Sequence, residues 1–203
     1  MPFQPFRPLF PIAVLAAAIA PTSRAMPPAA STTTVRSAPA SLDVEARYDA
    51  ATRKLAVRYR LHNTGTEPLA VFDRGDSMQL RTHQLEPGKP APPLQADDDG
   101  GLTFSHRAMP LRKPPPIVPH IPLAGRLDAG ASRADTFTVD VPPGVGRVRY
   151  CLGVAPFPAE GFRPATGAGD GVWQASYRIV DQQTLLCTPW LDLATARFAD
   201  PQA

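Results

Sequence analysis

SLDVEARYDAATRKLAVRYRLHNTGTEPLAVFD, Ser41–Asp73, is the stretch that decides the fold. Leu42, Val44, Ala46 and Tyr48 alternate with Asp43, Glu45, Arg47 and Asp49. After a short connection at Ala50–Arg53, Leu55, Val57, Tyr59 and Leu61 alternate with Lys54, Arg58, Arg60 and His62. A period of two with one apolar and one charged face is the pattern of a half-buried strand. The second run leads through Asn63, Gly65 and Pro68, residues that reverse a chain, into a third short run at Leu69–Asp73. Pairing Asp49 with Lys54 puts Glu45 opposite Arg58 and Asp43 opposite Arg60 outside, with Tyr48 opposite Leu55, Ala46 opposite Val57 and Val44 opposite Tyr59 inside. Opposite charges and complementary sizes thus predict one antiparallel register.

The same alternation returns downstream. Phe137, Val139 and Val141 alternate with Thr136, Thr138 and Asp140, and Val148, Tyr150, Leu152 and Val154 with Arg147, Arg149, Cys151 and Gly153. Trp173–Val180 reads as a further strand, as does Thr184–Trp190, and Ser77–Gln84 as a short one carrying Met78 and Leu80. Leu191–Ala203 is open between strand end and short helix. No segment of ten residues or more shows a capped 3.6-residue period, so the chain is expected to be all-β.

Met1–Ala25 has the form of a secretory signal peptide: Arg7, an apolar run over Leu9–Ala20, and Ser23-Arg24-Ala25 as a cleavage site. A periplasmic or secreted location follows, with no membrane attachment after cleavage. Met26–Ala40 is expected to be a flexible leader, because it is rich in Pro, Ala, Ser and Thr and offers little to bury. Residues 41–203 form one domain. Without Arg7 and Arg24, 19 basic residues face 18 acidic ones, so there is no basic field to recruit nucleic acid. Two cysteines in an exported chain predict one disulfide, Cys151–Cys187.

Leu85–Pro122 breaks the alternation. It holds ten prolines, with a possible short strand at Leu102–His106. Such proline density opposes helix and central strand alike.

Strands with turns between them point to an immunoglobulin-like antiparallel β-sandwich with a long Pro-rich insert. The turn at Arg60–Leu69 and the Leu127–Ser132 lead into a later strand resemble exported bacterial immunoglobulin-like domains. They also resemble the small β-sandwich of the intracellular proteinase inhibitor type. The resemblance covers about a third of the chain and implies architecture rather than activity.

Several motifs invite a chemical reading. Gly75-Asp76-Ser77-Met78 resembles the nucleophile block of GDSL-type esterases. Those enzymes pair the serine with an Asp-x-x-His and follow it with a helix. Here Tyr59, Leu80, Thr103 and Ile117 stand three residues before His62, His83, His106 and His120, so a polar turn is expected. Asp97, Asp98 and Asp99 lack the alternate spacing of a calcium loop, and the four histidines lack zinc spacing. Gly167–Gly171 precedes a strand and has no P-loop lysine. No metal or cofactor is therefore expected.

The expectation is a non-catalytic exported binding or accessory module with a protein partner in the cell envelope. Its surface is placed on the insert and adjoining sheet edges, through Arg107, Arg112, Lys113, Ile117 and Trp190. Two alternatives stand beside it: a hydrolase with a loop-built site lacking a signature, and a protease inhibitor.

Overall fold

The computed structural model describes residues 30–86, 89–98 and 100–200; the signal peptide expected at residues 1–25 lies outside them. Among the described residues, fourteen strands run in chain order. They are β1 Ser31–Ser37, β2 Ala40–Asp49, β3 Lys54–Asn63, β4 Leu69–Val71, β5 Leu94–Asp98, β6 Gly101–His106, β7 Leu123–Leu127, β8 Ser132–Asp140, β9 Arg147–Pro156, β10 Phe162–Pro164, β11 Val172–Ala175, β12 Thr184–Cys187, β13 Leu191–Asp192 and β14 Arg197–Phe198. Two short helices, α1 Ser77–Arg81 and α2 Tyr177–Val180, complete the set with a 3-10 turn at Ala159–Gly161.

The strands form two sheets. The first has the order β1-β2-β3-β8, antiparallel throughout. The second follows the path β10-β11-β7-β4-β9-β13-β14, with β12 and β6 also pairing with β9 and β5 with β6. Strand β9 is its spine. β6 lies parallel to Val148–Leu152, β4 antiparallel to Val154–Pro156, and β12 antiparallel to Cys151–Val154.

The predicted β2–β3 register is the observed one. Asp43 pairs with Arg60, Glu45 with Arg58 and Asp49 with Lys54, while Val44 pairs with Tyr59, Ala46 with Val57 and Tyr48 with Leu55. The inner residues Leu42, Val44, Leu55, Val57, Tyr59 and Leu61 are buried against Val71, Phe104, Val148, Tyr150 and Leu152 of the second sheet. A second apolar cluster gathers Phe72, Phe157, Phe162, Ile179 and Val180. Neighbouring residues on β4 divide between the two clusters, Val71 with the first and Ala70 with the second. The second sheet is therefore buried on both faces, and β6 is buried at all six positions.

Cys151 and Cys187 are joined, as expected. They face each other across β9 and β12 with Cα atoms 4.0 Å apart.

Four expectations are corrected. Within the leader, Ser31–Ser37 is a strand paired along β2, and Val35 packs on the core; its β-branched run Thr32–Val35 suits a pleated edge, which the composition of the whole leader concealed. Ser77–Arg81 is a helix, because Asp76 caps it and Gln79 closes a capping box by accepting the Asp76 N–H. The run expected as a strand over Trp173–Val180 breaks at Ser176. Ile179 and Val180, adjacent in sequence, are both buried in the second cluster, which a helical turn permits and a strand does not. Finally, the short strand expected at Leu102–His106 is present as β6, but it is not an isolated strand opposed by the surrounding prolines: the proline-free window between Pro93 and Pro110 supplies a β5–β6 hairpin, and β6 lies between β5 and β9. Near the C-terminus, Leu191–Asp192 and Arg197–Phe198 pair as a small hairpin.

Candidate functional site

The part of the insert that stays on the surface is Met109–His120. Every residue in it is exposed except half-buried Pro119, and it contains no regular secondary structure. Met109, Leu111, Ile117 and Val118 all present large apolar side chains to solvent, and Ile117 is fully exposed. Lone apolar residues on a surface are ordinary; four on one short loop are an interaction signal.

Both ends of this loop are fastened. At the first, the Gln183 side chain accepts the Ala108 N–H at 2.9 Å and donates to the Ala108 carbonyl at 3.1 Å. At the second, Ser77 Oγ accepts the Ile121 N–H at 3.0 Å, and the Ser77 N–H donates to the Ile121 carbonyl at 2.8 Å. Tyr177 Oη–H donates to the His120 carbonyl at 3.0 Å. Burial raises the Tyr177 phenol pKa, with a further push from Asp76, so the group remains a donor at neutral pH.

The nucleophile-like block is therefore part of this fastening. Gly75 takes φ +73°, Asp76 Oδ1 accepts the N–H groups of Met78 and Gln79, and Ser77 Oγ is engaged by Ile121 N–H. A helix does follow the serine, contrary to the polar turn expected. His120 Nδ1 lies 3.5 Å from Asp76 Oδ2, so the histidine faces the capping carboxylate.

Of the residues singled out for a partner surface, Arg112, Lys113 and Ile117 stand together on the exposed loop. Arg107 is half-buried at its base, beside His106 and Ala108, and its Nε is buried. Trp190 belongs elsewhere. Its ring lies against Gly101, where an added Cβ would come within 2.6 Å, and the guanidinium carbons of Arg147 and Arg149 are 4.8 and 4.6 Å from its centroid. Gly101 begins β6 and the loop departs after its end at His106, so the two lie about 16 Å apart along the strand. Asp98, on the hairpin arm, is bound by Arg149. Asp99 lies outside the described residues.

Sequence reasoning missed a buried polar network between the sheets. Asp73, fully buried, accepts from Tyr59 Oη–H at 2.7 Å and from the Arg133 guanidinium. Arg74 Nε lies 3.4 Å from Asp73 Oδ1, and its NH2 3.7 Å from Asp135. Nearby, His106 Nε2 is 2.7 Å from the Ala91 carbonyl and Nδ1 is 2.8 Å from Tyr150 Oη. The carbonyl can only accept, so Nε2 carries the proton and Nδ1 accepts from Tyr150. Burial lowers the His106 pKa and keeps the ring neutral; burial also raises Tyr59 and Tyr150. For Arg133, burial pulls the pKa down, but Asp73, with Tyr59 and Asp135, raises it above its ordinary value. One signal could have found this network. Arg133 and Asp135 fall in phase with Phe137 and Val139 on β8, so they point inward.

A cleft of about 540 Å³ opens above this network, lined by Arg74, Leu85, Glu86, Lys89, Arg133 and the Gly167–Val172 loop. Its cations are matched by acids: Arg74 by Asp73 and Asp135, Arg133 by Asp73, and Lys89 by Glu86. Its lining contains, among the described residues, no serine, threonine, cysteine or histidine. Among the described residues, no three His, Cys, Asp or Glu side chains converge as a metal set, and no helix is long and apolar enough to cross a membrane. Fold and site together define an all-β, two-sheet sandwich with a fastened, exposed loop. No protein-family model, curated protein or solved structure matches the chain.

Proposed function

We propose that this chain is an exported, non-catalytic binding module of the immunoglobulin-like kind, acting in the cell envelope by offering Met109–His120 to a protein partner. One observation carries the proposal: a loop with four exposed large apolar side chains is fastened at both feet by Gln183, Ser77 and Tyr177. A loop that served only to cover the sheet would turn those side chains inward. Fixing the feet limits the entropy that a partner must remove, so more of the contact energy appears as affinity. The disulfide and the signal-like first 25 residues support an oxidising, exported setting.

The test is a quadruple variant, Met109→Ser, Leu111→Ser, Ile117→Ser and Val118→Ser, compared with the unmodified chain in quantitative capture from an envelope extract. Because all four residues are exposed, the unfolding midpoint should be nearly unchanged. The proposal expects specific partners to be lost; capture of the same partners in equal amounts by both proteins would reject it.

A further inference from the structure

The outer face of the first sheet carries a second site, built from none of the loop's residues. Asp43, Glu45, Arg58 and Arg60 alternate with the buried Val44 and Tyr59, so they point away from the second sheet. Over them lies a trough of about 600 Å³ that reaches from β1 across β2 and β3 to Ala134 on β8. The register lays two rows across it: Thr34, Asp43, Arg60 and Ala134 in one, Thr32, Glu45, Arg58 and Thr136 in the next. We propose that this trough binds an acidic saccharide, with Arg58 and Arg60 on its carboxylates and Asp43 and Glu45 on its hydroxyls. The inference goes beyond the proposed function, since both the face and the ligand are different.

The charges of the two rows do not cancel one another. Asp43 Oδ1 accepts from Thr34 Oγ1 at 2.7 Å, and Glu45 Oε1 accepts from Arg47 Nε at 3.0 Å and from its NH2 at 2.7 Å. Both acids are therefore engaged by partners other than the arginines opposite them. On the other side, β8 sets only the short, neutral Ala134 and Thr136 beside Arg60 and Arg58. Among the described residues neither guanidinium has an ion pair or a hydrogen bond, and both are exposed. The two stand on one face, about 7 Å apart along the strand. Each planar fork can take a carboxylate through two parallel N–H bonds, so the pair fits a ligand with successive carboxylates.

The acids define the rest of the ligand. Asp43 Oδ2 and Glu45 Oε2 accept no hydrogen bond among the described residues, so they repel a ligand made of anionic groups alone and suit one that also donates. A sugar acid carries both functions, a carboxylate for the arginines and hydroxyls for the carboxylate oxygens. Thr32 and Thr34 add hydroxyl groups at the β1 side of the trough. An acidic peptide could meet the arginines equally well, but at neutral pH its carboxylate side chains have no proton to give Asp43 or Glu45, so the saccharide is favoured.

The experiment titrates the full chain with tetragalacturonate at about 0.1 M salt, with tetra-aspartate and a neutral dextran tetrasaccharide as separate arms. Tetragalacturonate should bind more tightly than either. An Arg58→Gln/Arg60→Gln variant should bind it about tenfold more weakly or worse. Arg163→Gln/Arg178→Gln makes the same change of charge at exposed positions on β10 and α2 and should leave binding unchanged. Asp43→Ala/Glu45→Ala should also weaken binding although it removes two negative charges, whereas a purely ionic contact would be strengthened. The proposal is overturned if tetragalacturonate fails to bind, or if the two arginine variants lose binding alike. It is equally overturned if tetra-aspartate binds as tightly, or if the Asp43→Ala/Glu45→Ala variant binds tetragalacturonate more tightly than the unmodified chain.

Discussion

Asp73 is the residue on which the junction between the sheets depends most. It is wholly buried, and Tyr59, Arg133 and Arg74 all address its carboxylate. A buried ion pair is weak evidence of net stabilisation, but breaking one leaves an uncompensated buried charge. Asp73→Asn should therefore cost about 3–5 kcal/mol in urea unfolding, and Tyr59→Phe, which removes one hydrogen bond to a charged acceptor, about 1.5–3 kcal/mol. The two effects should fall well short of additive in a double-mutant cycle, because both act on the same oxygen. His106 gives a pH prediction. Burial lowers its pKa in the folded protein, so between about pH 6.5, the unfolded value, and that lower folded value the unfolded chain holds a proton that the native chain does not. Stability must then fall as pH falls through that window. Unfolding free energies measured between pH 7.5 and 5.5 should slope less steeply in His106→Leu, by up to about 1.4 kcal/mol per pH unit, whatever its loss of stability at pH 7.5.

At the scale of elements, β6 and α1 make opposite contributions although both lie in or beside the Pro-rich stretch. Phe104 on β6 is fully buried in the main core, so Phe104→Ala should cost about 3–5 kcal/mol. No residue of α1 is buried, so Asp76→Ala, which removes its N-cap, should cost about 1 kcal/mol and loosen the second foot of the loop more than the sandwich. Amide exchange at Ser77 and Ile121 would report that loosening. The β2–β3 pairing was legible in the sequence because its apolar face alternates without a break over two strands. The charges follow that register without enforcing it: Glu45 takes Arg47 at 2.7 Å, Asp43 accepts from Thr34, and Lys54 reaches Asp140. Elements buried on both faces were harder to read. β6 reads only as a possible short strand, because Leu102 and Phe104 alternate with Thr103 and Ser105 over too few residues to reveal that both faces are buried, and β7, Leu123–Leu127, is a short run directly after Pro122. The two helices span five and four residues, too few for a 3.6-residue period to emerge, and the Asp76–Gln79 cap that starts the first shows in the structure. The buried network was legible in principle, through the inward phase of Arg133 and Asp135, although charged residues ordinarily mark a wet face. Inward charges also suit β8 as an edge of the first sheet, since they oppose pairing with another chain.

For the whole molecule, a sandwich stapled between β9 and β12 supports one exposed loop whose composition and attachment differ from everything around it. Arg112, Lys113 and Ile117 could be assigned to it from sequence because cations and an aliphatic residue among prolines have little to bury them. Trp190 could not be separated from them, because its distance from the loop is set by β6, whose pairing with β9 the sequence did not show. The central claim, that Met109–His120 meets a protein partner, is tested most directly by site-specific photocrosslinking in the cell envelope. A crosslinker at position 117 is compared with one at Leu185, an exposed apolar residue on β12. The account predicts a discrete crosslinked protein from position 117 and none from 185. Equal yields from the two positions, or none from 117, would contradict it.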